Sequence, residues 1–228
     1  MEERTASLQR EIKDRIRTEE ALHQKTTLIK LHQEIAVAAN KALTMEDAAQ
    51  ACIDKVCDYM RWPIGHVYLP SENSPTEMIP SSIWHLDDAK KFEEFQNITA
   101  SYRFSPNVGL PGTVLATKKP DWTTLPKKER EFTRAKVARQ IGIESGFAFP
   151  VLLGDEVVAV LDFFSEKSSK PDKSFIDAMT QIGTQLSRAV ERSQAKVALL
   201  KAKETAETAT KAKSESLAIM SHEIRTPS

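Results

Sequence analysis

Phe147-Ala148-Phe149-Pro150-Val151-Leu152-Leu153-Gly154-Asp155-Glu156-Val157-Val158-Ala159-Val160-Leu161-Asp162-Phe163-Phe164 is the stretch that decides the fold of this chain. Two runs rich in Val and Phe flank a single glycine-acid pair. β-Branched and aromatic residues suit a pleated, half-buried surface, and a two-residue turn carrying glycine joins antiparallel strands. The stretch therefore reads as a β-hairpin, Ser145 to Leu153 and Glu156 to Phe164, turning on Gly154-Asp155.

Working outward, Thr44-Met45-Glu46-Asp47 reads as a helix start, with Ala48, Cys52, Val56 and Tyr59 or Met60 recurring on one face. Strand-like segments follow at Gly65 to Leu69 and Met78 to Leu86. In Gly109-Leu110-Pro111-Gly112-Thr113-Val114-Leu115-Ala116 a glycine turn opens a short helix, ahead of a strand at Pro120 to Thr123 and a helix at Glu129 to Gln140. Taken in this order, the segments resemble a GAF domain over residues 40–185. The best matching residues are Gly109 to Gly112, Pro120-Asp121-Trp122 and the hairpin. The resemblance implies an α+β fold: a mostly antiparallel sheet flanked by helices, with the helices of both domain ends on one face and a small-molecule cavity on the other. Trp84, Phe104 and Trp122 are the candidate pocket lining, although aromatics in a sheet-rich domain more often belong to the core.

Several cavity ligands are disfavoured. Bilin-binding GAF domains and free methionine sulfoxide reductases of this fold use cavity cysteines, and this chain has none after Cys57. No cyclic-nucleotide signature is traceable. His66 and His85 are haem ligands by residue type alone; each sits in a strand-like segment and reads as surface or core. No metal site is expected.

Both ends of the chain read as long helices. Residues 1–39 contain no Gly or Pro, and Leu8, Ile12, Leu22 and Ile29 fall on an approximate three-four spacing, interrupted by Arg15, Glu19, Thr26 and Gln33. This segment resembles the signalling coiled coils between sensor domains. Lys170-Pro171-Asp172 supplies a turn and a capping residue, and from there to Pro227 there is one glycine, Gly183, and no proline. A continuous helix there would be about 80 Å long. Phe175, Ile176, Met179 and Ile182 are its domain-facing residues. Residues 186–228 form the linker and the start of a further helix. In it Leu186, Val190, Val197 and Leu200 keep a seam that Ser193 interrupts; Glu204, Glu207 and Lys211 then fall at inward positions, and Leu217 and Ile224 restore apolar character one residue out of phase.

The chain closes on Ser221-His222-Glu223-Ile224-Arg225-Thr226-Pro227. Neutral imidazole is a nucleophile near neutral pH, and a neighbouring carboxylate can hold one ring N–H so that the other nitrogen attacks. On a continuing helix His222 and Thr226 share a face, and Pro227 kinks the helix just past that turn. The run, with Lys213 to Met220 before it, resembles the phosphoacceptor H-box of HisKA-type sensor histidine kinases. Ser216, Ile219 and Ser228 depart from the usual pattern. The likeness implies that His222 is autophosphorylated, that Glu223 is its acid/base partner and that Thr226 assists phosphatase action. It also implies a response-regulator receiver domain as a partner, and a parallel homodimer is expected because both terminal helices want a like partner. No Gly-rich phosphate loop follows His222, so ATP and Mg belong to a nucleotide-binding domain outside these residues. No cofactor is expected within them, and the fragment should be inactive alone. The competing expectation is a ligand-free module that spaces and dimerises neighbouring domains.

The bulk numbers bound these readings. The chain has 228 residues, 40% of them hydrophobic and 28% charged, with zero formal net charge. That supports one substantial core and gives no support for nucleic acid as a partner. Cys52 and Cys57 lie about 140° apart around a helix, too divergent to bridge within it. A reducing, cytoplasmic setting fits two such cysteines. No apolar run approaches the roughly 20 residues that span a bilayer, while a membrane anchor upstream stays open as an expectation.

Overall fold

In the computed structural model the elements run α1 (Glu2–Lys41), α2 (Met45–Met60), β1 (Ile64–Ser71), β2 (Ser74–Leu86), α3 (Ala89–Ala100), α4 (Gly109–Thr117), β3 (Asp121–Thr124), α5 (Ala135–Gln140), β4 (Ser145–Leu153), β5 (Glu156–Ser165) and α6 (Lys173–Ile224). The structure describes the backbone of residues 2–71, 74–124, 135–168 and 173–224; the side chains of 2–8, 75, 135 and 212–224 lie outside that description. The proposed helix start at Lys170 to Asp172 and the first part of the Glu129–Gln140 helix fall outside the described residues.

The hairpin forms as its sequence dictates. β4 and β5 pair antiparallel with Leu153 opposite Glu156, leaving Gly154-Asp155 as the turn, and Gly154 takes φ 59°, a conformation most residues avoid. The hairpin is central in a five-stranded sheet of order β2-β1-β5-β4-β3, in which each described pairing is antiparallel. Because side chains alternate along a strand, the hairpin feeds two cores.

One face carries Phe147, Phe149 and Phe163 and is covered by α2 and the first turns of α6. Phe175 packs on Phe147 and Trp122 at centroid distances of 5.2 and 5.7 Å. Met179 and Ile182 are fully buried, as the seam of α6 predicts. Thr44 caps α2 by accepting a hydrogen bond from the Asp47 backbone N–H at 3.1 Å, and Ala48, Cys52, Ile53, Val56 and Cys57 are its buried stripe. α1 lies on α2 through Leu31, Ile35 and Ala39, spaced by four residues. Lys55 of α2 reaches Glu34 of α1 at 3.1 Å and holds that carboxyl below its usual pKa.

The second face carries Ile64, Tyr68, Ala148, Val160 and Phe164 under α3, α4 and α5, which add Phe92, Phe95, Leu110, Val114, Val137 and Ala138. Each buried Phe here contributes about 1.5–3 kcal/mol of hydrophobic stabilisation. The glycines of the Gly109 to Gly112 motif are used for geometry. Gly109 has φ 63°, and a Cβ on Gly112 would stand 2.2 Å from the Ser105 carbonyl oxygen.

Residues 1–189 form one compact unit, with α1 inside it, and residues 190–228 a second, helical throughout its described backbone. Among the described residues no helix is long and apolar enough to cross a membrane.

Candidate functional site

Four strand pairings build one row of residues across the second face. His66 of β1 stands opposite Trp84 of β2 and Asp162 of β5; Asp162 stands opposite Ala148 of β4, and Ala148 opposite Asp121 of β3. Directly opposed residues share a face, so an imidazole and a carboxylate sit side by side within an otherwise apolar layer. Both are fully buried.

A bulge orients the imidazole. The β1–β2 register shifts between His66 and Tyr68, and the slack is taken up by Ser81, whose Oγ donates to the Val67 carbonyl at 2.7 Å and accepts from the Ile83 N–H at 3.1 Å. The Ser81 carbonyl oxygen then lies 3.1 Å from His66 Nε2. A carbonyl only accepts, so Nε2 carries the proton and Nδ1 is the nitrogen that faces Asp162, with 3.9 Å between Nδ1 and Oδ1. The ring stacks on Trp84 at 3.7 Å and meets the edge of Tyr68 at 4.4 Å, and Tyr68 meets Phe104 at 5.3 Å. At 3.9 Å the contact is longer than a hydrogen bond, so the two groups act on each other through charge and dipole within a layer where burying either alone is costly. The row can therefore meet the polar end of a small molecule.

The structure divides the three aromatics of the candidate pocket. Trp84 and Phe104 both pack in the layer that contains Tyr68. Trp122 packs instead against Trp62, Phe147 and Phe175, on the α2 and α6 face, so it lines a different core. Phe104 is 1% exposed, which makes it a core side chain. Sequence reasoning weighed His66 only as a haem ligand and passed over Asp162. The signal was one carboxylate inside the run Val157 to Phe164, where a charge requires a partner.

Both cysteines are free and buried on α2. Burial raises both thiol pKa values, with Asp54 adding to the effect at Cys52 and Asp87 at Cys57, so neither forms a reactive thiolate. Cys57 faces Gly65, on the side of the sheet away from His66. His85 is the second histidine of the haem reading and lies at the edge of α2, between two carboxylates. His222 and Glu223 fall in the backbone of α6, their side chains outside the description; Thr226 lies outside the described residues.

Comparison with known proteins agrees with the geometry. Among solved structures the chain is similar to the GAF domain of an Acinetobacter phosphoenolpyruvate-protein phosphotransferase (15% identity, 74% of this chain and 96% of that one, TM-score 0.57). It is also similar to free methionine-R-sulfoxide reductase from Neisseria meningitidis in complex with its substrate (13% identity, 75% and 93%, TM-score 0.62). A third is the GAF domain of A. aeolicus nlh2 in an inactive state (18% identity, 73% and 97%, TM-score 0.57). No curated protein matches the chain. A family model for the GAF domain matches residues 42–191, the whole of the sheet and the helices that cover it. The chain belongs to the GAF domain family, a class of sensory and regulatory modules.

Proposed function

We propose that this chain is the sensory and signal-transmitting part of a two-component sensor histidine kinase. The GAF domain biases a helical dimer that presents His222 for ATP-dependent phosphorylation and for transfer to a receiver-domain aspartate. Glu223 holds the imidazole tautomer, and Thr226 positions water for hydrolysis of the phosphohistidine. ATP and magnesium act through a nucleotide-binding domain outside these residues. The single observation that carries the reading is the run Ser221 to Pro227. The helix that carries Ser221 to Ile224 supports the reading, because Phe175, Met179 and Ile182 in the first turns of α6 are buried in the sheet domain.

The test is ATP-dependent labelling of a longer protein that includes the kinase region. Acid-labile phosphate is expected in the native sequence and lost in His222→Gln. Labelling that survives the substitution on another side chain would overturn the assignment.

A second reading, a ligand-free module that spaces and dimerises its neighbours, is favoured by one observation. Tyr68, Phe92, Phe95, Phe104 and Phe164 are all at most 1% exposed and fill the layer where a cavity would lie. Thermal shift against a metabolite panel separates the two: a small molecule that raises the melting temperature supports sensing, and its binding should be lost on substitution of His66 or Asp162.

A further inference from the structure

His85 of β2 lies between two carboxylates. Its Nδ1 is 2.9 Å from Asp54 Oδ1 on α2, and its Nε2 is 3.2 Å from Asp87 Oδ1 in the turn after β2. A carboxylate accepts and does not donate, so both contacts are hydrogen bonds only when both ring nitrogens carry protons. Neutral imidazole has one N–H and can serve one of the two. The ring is also largely enclosed, at 15% side-chain exposure, so water replaces the lost bond poorly.

The surroundings concentrate this effect. α2 presents Asp54 and, one turn on, Asp58. The turn presents Asp87, and β1 presents only Gly65 opposite His85. The Cys57 thiol of α2 has its pKa raised first by burial and then by the charges of Asp87, Asp54 and Asp58. Gln50, a neutral group, donates to both Asp54 Oδ1 and the Trp84 carbonyl, at 3.0 Å each, and so fixes the Asp54 carboxylate against β2. Among the described residues the ion pairs made by Asp54 and Asp87 are those with His85.

We propose that His85 is a proton-operated latch that fastens α2, and through it α1, to the edge strand of the sheet. When protonated it joins Asp54 to Asp87; on losing the proton it releases one of them, and two carboxylates are left facing each other with less cation between them. The adjoining residue Lys55 carries the link onward to Glu34 of α1. Proton concentration thereby sets how firmly the N-terminal helices are seated, independently of any ligand on the opposite face of the sheet and of the kinase assignment.

The test is hydrogen exchange of the α2 backbone in the full chain, corrected for the intrinsic pH dependence of exchange and followed over about pH 5 to 8, where imidazole changes charge and carboxylates do not. The ring ¹⁵N shifts of His85 report its proton. Opening of α2 should become about tenfold more frequent as His85 deprotonates, the size expected for one lost charge-assisted hydrogen bond. His85→Gln, neutral throughout, should give a flat profile. Asp87→Asn keeps the imidazole and removes one charge, so it should shrink the step. A native profile that does not change while the ring loses its proton would overturn the proposal, as would a step of full size in His85→Gln. Should His85→Gln not fold, an undiminished step in Asp87→Asn would do the same.

Discussion

At the residue scale the informative pair is His66 and Asp162, because the sheet places two fully buried ionisable groups 3.9 Å apart between aromatic neighbours. Removing one member of such a pair takes away part of what offsets the desolvation of the other, and that costs about 3–5 kcal/mol. Asp162→Ala is therefore expected to lower the unfolding free energy by about that amount. Asp162→Leu combined with His66→Leu should cost less than the sum of the two single changes, since the doubly substituted site has no buried charge to solvate. Urea unfolding of the two single variants and the double gives the coupling directly. Strict additivity would mean that the two side chains do not interact in the folded state.

At the element scale the seating of α6 on β4 depends on Gly183. A Cβ there would lie 2.7 Å from the Pro150 carbonyl oxygen and 3.6 Å from the Phe149 ring. Backbone oxygen in a central strand cannot move aside, so the helix must. Alanine gains roughly 0.5–1 kcal/mol of helix propensity over glycine, but overpacking costs about 1–3 kcal/mol. Gly183→Ala should be destabilising by about 1–2 kcal/mol in thermal unfolding; a stabilised variant would mean that α6 is not seated so closely. The same contrast between local and distant causes explains what was legible in the sequence. The β4–β5 hairpin and the Thr44 cap were readable because turn glycine, β-branched runs and a hydroxyl three residues from its partner amide are local signals. α3 was not read: its cap Asp88 and its buried Phe92, Phe95 and Thr99 are diluted by Lys90, Lys91, Glu93 and Glu94 in a single short helix. The face of Trp122 was unreadable for another reason. β3 has only four residues, and which way they point is fixed by pairing with β4, a contact absent from the local pattern. His66 and Asp162 meet for the same reason, through the β1–β5 register.

At the scale of the whole molecule the proposed kinase reading requires that a change in the sheet domain reach His222. Val197 and Leu200 are 63% and 57% exposed, and Glu204, Glu207 and Lys211 are exposed as well, so this part of α6 carries apolar and charged positions along one exposed seam, the seam that the proposed dimer would pair. A seam with charged positions specifies register at a cost in stability, and two packings of such a seam differ by only a few kcal/mol. Leucine at these three positions would bury up to six apolar side chains in a dimer, each worth about 1.5–3 kcal/mol, which exceeds that gap severalfold. The packing that accepts the leucines should then prevail whatever the sensor does. On the proposed kinase reading, Asp162→Ala in a longer protein that includes the kinase region perturbs the sensory layer without touching the helix and should change the level of His222 phosphorylation. Once Glu204, Glu207 and Lys211 are replaced by Leu, the same Asp162→Ala change should leave that level where it was. If Asp162→Ala shifts phosphorylation equally in both backgrounds, the signal does not pass through the register of this seam.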